Sequence, residues 1–139
     1  MIAKVVPVLG WEPNPIRRVR MLQPSFTPPP LSCDAHFHVF GPPDRYPVHS
    51  KARYESPIVT LDDYRAFADR LGVERMVFVQ PSAYKTDNSC MLDAMEVYPE
   101  KSRGIVDIDE DCPDSQLDDL HRRGVRGVRI NTSPIAPFD

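Results

Sequence analysis

Cysteine and excess positive charge are both scarce in this 139-residue sequence. Its three cysteines, Cys33, Cys90 and Cys112, are widely spaced and form no C-x-x-C pair, which excludes a disulfide framework and a cysteine zinc site. A reducing cytoplasm is therefore the expected compartment. Lys and Arg number 17 against 20 Asp and Glu, so the net charge of -3 excludes nucleic acid as the main partner. No apolar run approaches the roughly 20 residues that span a bilayer, and we expect no membrane association.

Proline is abundant, but its distribution is uneven. Seven of the 16 prolines fall in the first 30 residues. Proline removes backbone donors and interrupts helices and strands, so residues 1–30 are predicted to form a disordered, proline-rich leader. Residues 31–139 are long enough for one folded domain with a core.

The most informative stretch runs from Ser32 to Gly41 and contains an H-x-H motif, His36 and His38, within a short apolar run. Side chains alternate between the two faces of a strand, so Asp34, His36 and His38 are predicted to share a polar face. Buried polar groups need partners, and α/β folds place their chemistry where strands end. The motif therefore predicts a functional site at the carboxyl end of this strand.

Strand and helix patterns alternate along the rest of the domain. Thr60 to Gly72 has both the N-cap and the C-cap signals of an amphipathic helix. A second helix is predicted from a cap at Thr86 or Asp87 to an end at Pro99, and a third from Pro113 to Gly124. The further strands are predicted at Arg75–Gln80, Arg103–Ile108 and Gly127–Asn131. Alternating strands and helices require parallel strands with right-handed crossovers. The predicted fold class is α/β, with four βα units that correspond to the N-terminal half of a (β/α)₈ TIM barrel.

These motifs, in this order, resemble the amidohydrolase-related family, and most of all its 2-pyrone-4,6-dicarboxylate lactonases. The resemblance extends from about residue 31 to residue 131. The segments that carry it are Asp34–Pro42, Lys51–Tyr54, Val79–Ser82 with Thr86–Asn88, Arg103–Ile105 and Gly124–Asn131.

The resemblance implies a hydrolase that opens a carboxylated cyclic ester, of the pyrone dicarboxylate or muconolactone type, by attack of water. His36 and His38 would polarise the lactone carbonyl, and Tyr54, Ser82 and Arg129 would bind the small anionic ring. No cofactor is expected in the lactonase branch. An alternative is a metal-dependent amidohydrolase or decarboxylase with His36 and His38 as zinc ligands, which would need a third ligand.

The sequence also departs from the pattern that the resemblance implies. These lactonases have a further arginine six residues after the position of Arg129, where this chain has Ile135. Their third histidine and water-activating aspartate come from strands five and eight, and His49 and His121 are poor substitutes. A third hypothesis is therefore a truncated, non-catalytic half barrel, which a homodimer could close into eight strands.

Overall fold

A computed structural model of the chain describes residues 24–52, 54 and 56–130. Strands and helices alternate within this range, as the sequence predicts. The strands are β1 (Cys33–Phe37), β2 (Arg75–Val79), β3 (Ser102–Val106) and β4 (Val125–Val128); the helices are α1 (Leu61–Leu71), α2 (Ser89–Met95) and α3 (Asp114–Arg122), with a 3₁₀ turn at Ser82–Tyr84. Most of the predicted leader, residues 1–23, lies outside the described residues.

All of the pairings in the sheet are parallel, and the strand order is β1-β2-β3-β4. Each strand therefore lies beside its neighbour in sequence, with a helix in each connection, as in the winding of a TIM barrel. Four strands is half the number that closes such a barrel. The prediction of an α/β fold with four parallel strands is confirmed.

The ends of α1 follow from its sequence. Thr60 and Asp63 form a reciprocal capping box, and Gly72 ends the helix in the left-handed conformation with φ 75°. The predicted bounds of the later elements are less accurate. Helix α2 begins after Asn88 and ends at Met95, and β4 begins two residues before the predicted Gly127.

The core lies between the sheet and helices α1 and α2. Phe78 and Met76 of β2 and Val106 of β3 are almost fully buried, and the methionines of α2, Met91 and Met95, pack in the same cluster. Burial of each large apolar side chain of this kind contributes about 1.5–3 kcal/mol. The core therefore fixes one face of the sheet against the helices.

The prediction that Asp34 shares a face of β1 with His36 and His38 is wrong. The pairing of β1 with β2 shifts between Asp34 and Phe37, so that β1 contains one extra residue, a β-bulge. Tyr64 of α1 donates a hydrogen bond to Asp34 Oδ2 at 3.2 Å, and its ring stacks on Phe37 at 3.7 Å between centroids. Asp34 thus faces the helix layer, because the bulge interrupts the alternation that would have placed it beside His36.

No helix within the described ranges is long and apolar enough to cross a membrane.

Candidate active site

A polar side chain follows each of the four strands immediately. These residues are His38 after β1, Gln80 after β2, Asp107 after β3 and Arg129 after β4. Because the strands are parallel, their carboxyl ends lie at one edge of the sheet. This carboxyl edge, defined by these four residues, is the candidate site.

The two histidines of the H-x-H motif are neighbours, with ring centroids 5.1 Å apart and planes at 76°. His36 is exposed, whereas His38 is half-buried. His38 Nδ1 lies 2.7 Å from the carbonyl oxygen of Val79. A carbonyl oxygen only accepts hydrogen bonds, so Nδ1 is the nitrogen that carries the proton. The remaining ring nitrogen, Nε2, therefore has a free lone pair when His38 is neutral.

Burial lowers the pKa of His38 below its ordinary 6.5, and the nearby positive charges of His36 and Arg129 lower it further against the opposing hydrogen bond to Val79. A neutral imidazole is therefore the prevailing form at neutral pH. A neutral His38 acts as an acceptor through Nε2.

Arg129 is held at the edge by two hydrogen bonds. Its backbone N–H donates to the carbonyl oxygen of Val106 at 2.7 Å, and its Nη1 donates to the carbonyl oxygen of Gln80 at 2.6 Å. The other guanidinium N–H groups have no hydrogen-bond partner in the part of the chain that the structure describes. An anchored guanidinium with free donors is suited to a carboxylate, which it can bind through two parallel bonds.

Tyr54 and Ser82 are brought together although they lie 28 residues apart in sequence. The Tyr54 hydroxyl lies 3.2 Å from Ser82 Oγ, and either atom could be the donor. Tyr54 comes from the long β1–α1 connection, and Ser82 opens the 3₁₀ turn that follows β2. The pair therefore adds two hydroxyl groups beside the carboxyl edge.

Sequence reasoning missed two members of this edge, because it included Gln80 as the last residue of the strand Arg75–Gln80 and Asp107 within the strand Arg103–Ile108. Burial raises the pKa of the Asp107 carboxyl, and the charges of Arg129 and Lys85 oppose that rise. Asn88 holds the Asp107 backbone by donating to its carbonyl oxygen at 2.7 Å and accepting from its N–H at 3.1 Å. The available signal was that a polar residue follows each apolar run, which is typical of a strand end.

The contacts of the other two histidines, His49 and His121, are not with His36 or His38. His49 Nδ1 accepts a hydrogen bond from the Lys51 N–H within the loop after β1. His121 is at the end of α3 and contacts Arg126 near the start of β4, at the opposite edge of the sheet. Neither contact provides a third imidazole for His36 and His38.

Comparison with protein families agrees with this geometry. The family model described as amidohydrolase matches residues 33–136, which include all four strands. The chain belongs to the amidohydrolase family.

Among curated relatives, a 4-sulfomuconolactone hydrolase from Rhizobium radiobacter is 40% identical to this chain over 117 residues. A 2-pyrone-4,6-dicarboxylate hydrolase from Comamonas testosteroni is 36% identical over 123 residues. The alignments cover 84% and 88% of this chain but 39% and 38% of those relatives. The chain thus spans about two fifths of the length of the curated relatives it matches.

Solved structures show the same relation. The crystal structure of a probable 2-pyrone-4,6-dicarboxylic acid hydrolase from Acinetobacter baumannii, with citric acid bound, matches this chain with a TM-score of 0.67 and 30% sequence identity. The match covers 72% of this chain and 37% of the Acinetobacter chain. An apo structure from Agrobacterium tumefaciens has a TM-score of 0.70 at 23% identity, covering 79% of this chain and 40% of its own, which supports the fold alone.

Zinc does not fit the described residues of this amidohydrolase by themselves. No group of three or more His, Cys, Asp or Glu residues within them is arranged to hold a metal ion. His36 and His38 supply two imidazoles, whereas catalytic zinc sites use three protein ligands. Asp34 is unsuitable as the third, because it faces α1 and bonds Tyr64.

Proposed function

We propose that the chain forms the substrate-binding part of a lactone hydrolase that opens a carboxylated cyclic ester by attack of water. The observation that carries the proposal is the anchored Arg129 guanidinium, with free donors, at the same edge as the neutral His38. The names of the relatives, 4-sulfomuconolactone hydrolase and 2-pyrone-4,6-dicarboxylate hydrolase, support a ring of the muconolactone or pyrone dicarboxylate type.

Arg129, Tyr54 and Ser82 are the proposed substrate-binding residues. The free N–H groups of Arg129 bind a ring carboxylate, and the Tyr54–Ser82 hydroxyl pair donates to further oxygens of the substrate. The anchored guanidinium of Arg129 restricts the orientation of a planar ring that it binds. This restriction is how Arg129 would contribute to the reaction rate.

The catalytic roles of the two histidines are proposed to differ. The Val79 hydrogen bond leaves neutral His38 with an acceptor nitrogen, so His38 orients the attacking water, whereas exposed His36 donates to the lactone carbonyl. The water oxygen bonds to the carbonyl carbon as the ring C–O bond breaks, one water proton passes to the ring oxygen, and the other is released to solvent as the new acid ionises. The product is an open-chain acid with one added carboxylate. No cofactor takes part in this scheme.

The test is the loss of ring absorbance when pyrone dicarboxylate or a muconolactone is incubated with the protein. We expect His36→Ala and His38→Ala to lower kcat/KM by about 10²–10⁴-fold, and Arg129→Met to act mainly on KM. Arg122→Met is the matched control, because Arg122 pairs with Asp119 on the exposed surface of α3. Unimpaired turnover in both histidine variants would contradict the proposal.

A second candidate is a zinc-dependent amidohydrolase or decarboxylase. The observation in its favour is the His38 tautomer, because an imidazole that donates through Nδ1 to a backbone carbonyl has its Nε2 lone pair free for a metal. It requires a third ligand beyond the residues described. Stoichiometric zinc by elemental analysis that disappears on mutation of either His36 or His38 would favour it.

Two further properties belong to the proposal. β1 and β4 are the outer strands of the sheet that the described residues form, and a homodimer would place them against a second sheet and bring the strand number to eight. Light scattering after size-exclusion chromatography tests this, and a monomer contradicts it. A cytoplasmic location is supported by the free thiols Cys33, Cys90 and Cys112, and cell fractionation tests it.

A further inference from the structure

Lys85, which comes directly after the 3₁₀ turn, adopts a backbone conformation that favours glycine. Its φ is 51° and its ψ is -130°. A side chain with a Cβ is strained in this region, whereas glycine enters it freely. A lysine at this position therefore has a conformational cost that glycine would avoid.

The buried side-chain amide of Gln80 holds the loop around Lys85 in place by hydrogen bonds. Gln80 is fully buried, and its Nε2 donates to the carbonyl oxygens of Lys85 at 2.9 Å and Asp87 at 2.7 Å. The Lys85 N–H donates in turn to the Ser82 carbonyl oxygen at 3.3 Å. These bonds hold the strained residue three positions after Ser82, at the carboxyl edge.

The Lys85 ammonium has no hydrogen bond or ion pair within the ranges that the structure describes. Lys85 nevertheless lies beside the carboxyl edge, because its backbone is hydrogen-bonded to Gln80 and Ser82, which follow β2. In agreement with this position, the charges of Lys85 and Arg129 both oppose the rise in the pKa of Asp107 that burial causes. Two cationic residues therefore lie at this edge: Arg129, whose guanidinium is anchored, and half-buried Lys85, whose ammonium has no partner among the described residues. A ring with a single carboxylate would need only the Arg129 guanidinium as its partner.

We propose that Lys85 binds a second anionic substituent of the ring whose first carboxylate is bound by Arg129, so that the site selects dianionic rings over monoanionic ones. The inference rests on the proposed function, whose substrate class it narrows. The strain at Lys85 is then the cost of placing an ammonium where the loop would otherwise contain glycine.

The test compares two non-hydrolysable probes, benzene-1,3-dicarboxylate and benzoate, by titration calorimetry with the full chain. Lys85→Gly removes the ammonium and the backbone strain together. We expect about tenfold weaker binding of the dicarboxylate, unchanged binding of benzoate, and a Tm that is equal or several degrees higher. Lys85→Arg keeps the charge and should retain the preference for the dicarboxylate.

Lys101→Gln is the control, because it removes one positive charge, as Lys85→Gly does, but at the opposite edge of the sheet. Lys101 immediately precedes β3. It should leave both affinities within about twofold of the starting value. Equal weakening of both probes in Lys85→Gly, no weakening, a lower Tm, or no dicarboxylate binding by the unaltered protein would each overturn the inference. Dependence on Lys85 in a protein that hydrolyses no lactone would refute the proposed function alone.

Discussion

Asp93 of α2 is the residue that joins the long β1–α1 connection to the helix layer. Its Oδ2 accepts hydrogen bonds from Arg45 Nη2 and from the Tyr46 hydroxyl, both at 2.8 Å. Arg123 Nη2 lies 3.8 Å from its Oδ1. The same connection leads on to Tyr54, so loss of Asp93 should loosen the segment that brings Tyr54 to Ser82.

The expected cost follows from the exposure of these contacts. The hydrogen bond from Tyr46 to a charged acceptor is worth about 1.5–3 kcal/mol. The Arg45 pair adds about 0–1 kcal/mol, because the Arg45 side chain is 68% exposed. We therefore expect Asp93→Ala to lower the free energy of unfolding by about 2 kcal/mol, and Asp93→Asn, which keeps an acceptor for Tyr46, by about 1 kcal/mol.

The pH dependence gives this prediction an independent signature. Burial first, and then the hydrogen bond and charge of Asp93, raise the pKa of Tyr46 from 10 to about 12. A raised pKa in the folded state contributes stability that is complete below pH 10 and is lost as the pH rises towards 12. In Asp93→Asn the Tyr46 pKa should fall towards 10, so the decline between pH 10 and 12 should be shallower.

Urea unfolding at pH 7 and between pH 9.5 and 11.5 measures both effects, and the difference in tyrosinate absorbance between Asp93→Asn and the unaltered protein reports the change in the pKa of Tyr46. Asp119→Asn is the matched control, because Asp119 pairs with Arg122 on the exposed surface of α3 and should cost less than about 0.5 kcal/mol. Equal losses in Asp93→Asn and Asp119→Asn, with the same slope above pH 10, would refute the reasoning.

Three further predictions follow from single contacts. Gly104→Ala should lower the Tm and cost about 1–3 kcal/mol, because the new Cβ would lie 2.8 Å from the Met95 sulfur. NMR titration of His38 should give a pKa below 6.5, and Arg129→Met should raise it without restoring 6.5, because burial is the larger cause. Since its pKa is lowered by folding, His38 contributes stability above pH 6.5 that is lost as the pH falls. Gln80→Leu should cost about 2–4 kcal/mol in urea unfolding, because two backbone carbonyls lose their buried donor.

The architecture could be predicted from the sequence because several independent signals agree on it. The caps at Thr60 and Gly72 fix one helix, the apolar runs fix the strands, and parallel strands joined by helices leave few arrangements. The pairing of Tyr54 with Ser82 could not be derived from spacing, since it depends on where a long connection returns to the sheet. The resemblance to a family named both residues, but their contact is a property of the fold.

The side-chain faces were less predictable, and the cause is the same in both outer strands. The pairing of β3 with β4 also shifts by one residue, so Gly104 is opposite Val125 while Ile105 is opposite Gly127. A Cβ on Gly104 would meet the α2 methionines, whereas one on Gly127 would meet Ile105, so the bulge moves the later part of β4 to the face away from the helices.

The bulge in β1 has a corresponding effect, because Asp34 and Phe37 both contact Tyr64 of α1. By alternation along the strand, the histidines on either side of Phe37 belong to the opposite face. An uninterrupted period of two would align Asp34 with His36, and Val125 with Arg129, on single faces. Because of the extra residue in each strand, Asp34 and Val125 face the helix layer, whereas His36 and Arg129 lie on the opposite face of the sheet. The two bulges thus explain the error over Asp34 and the common face of His38 and Arg129, whereas the parallel direction of the strands places both residues at the carboxyl edge.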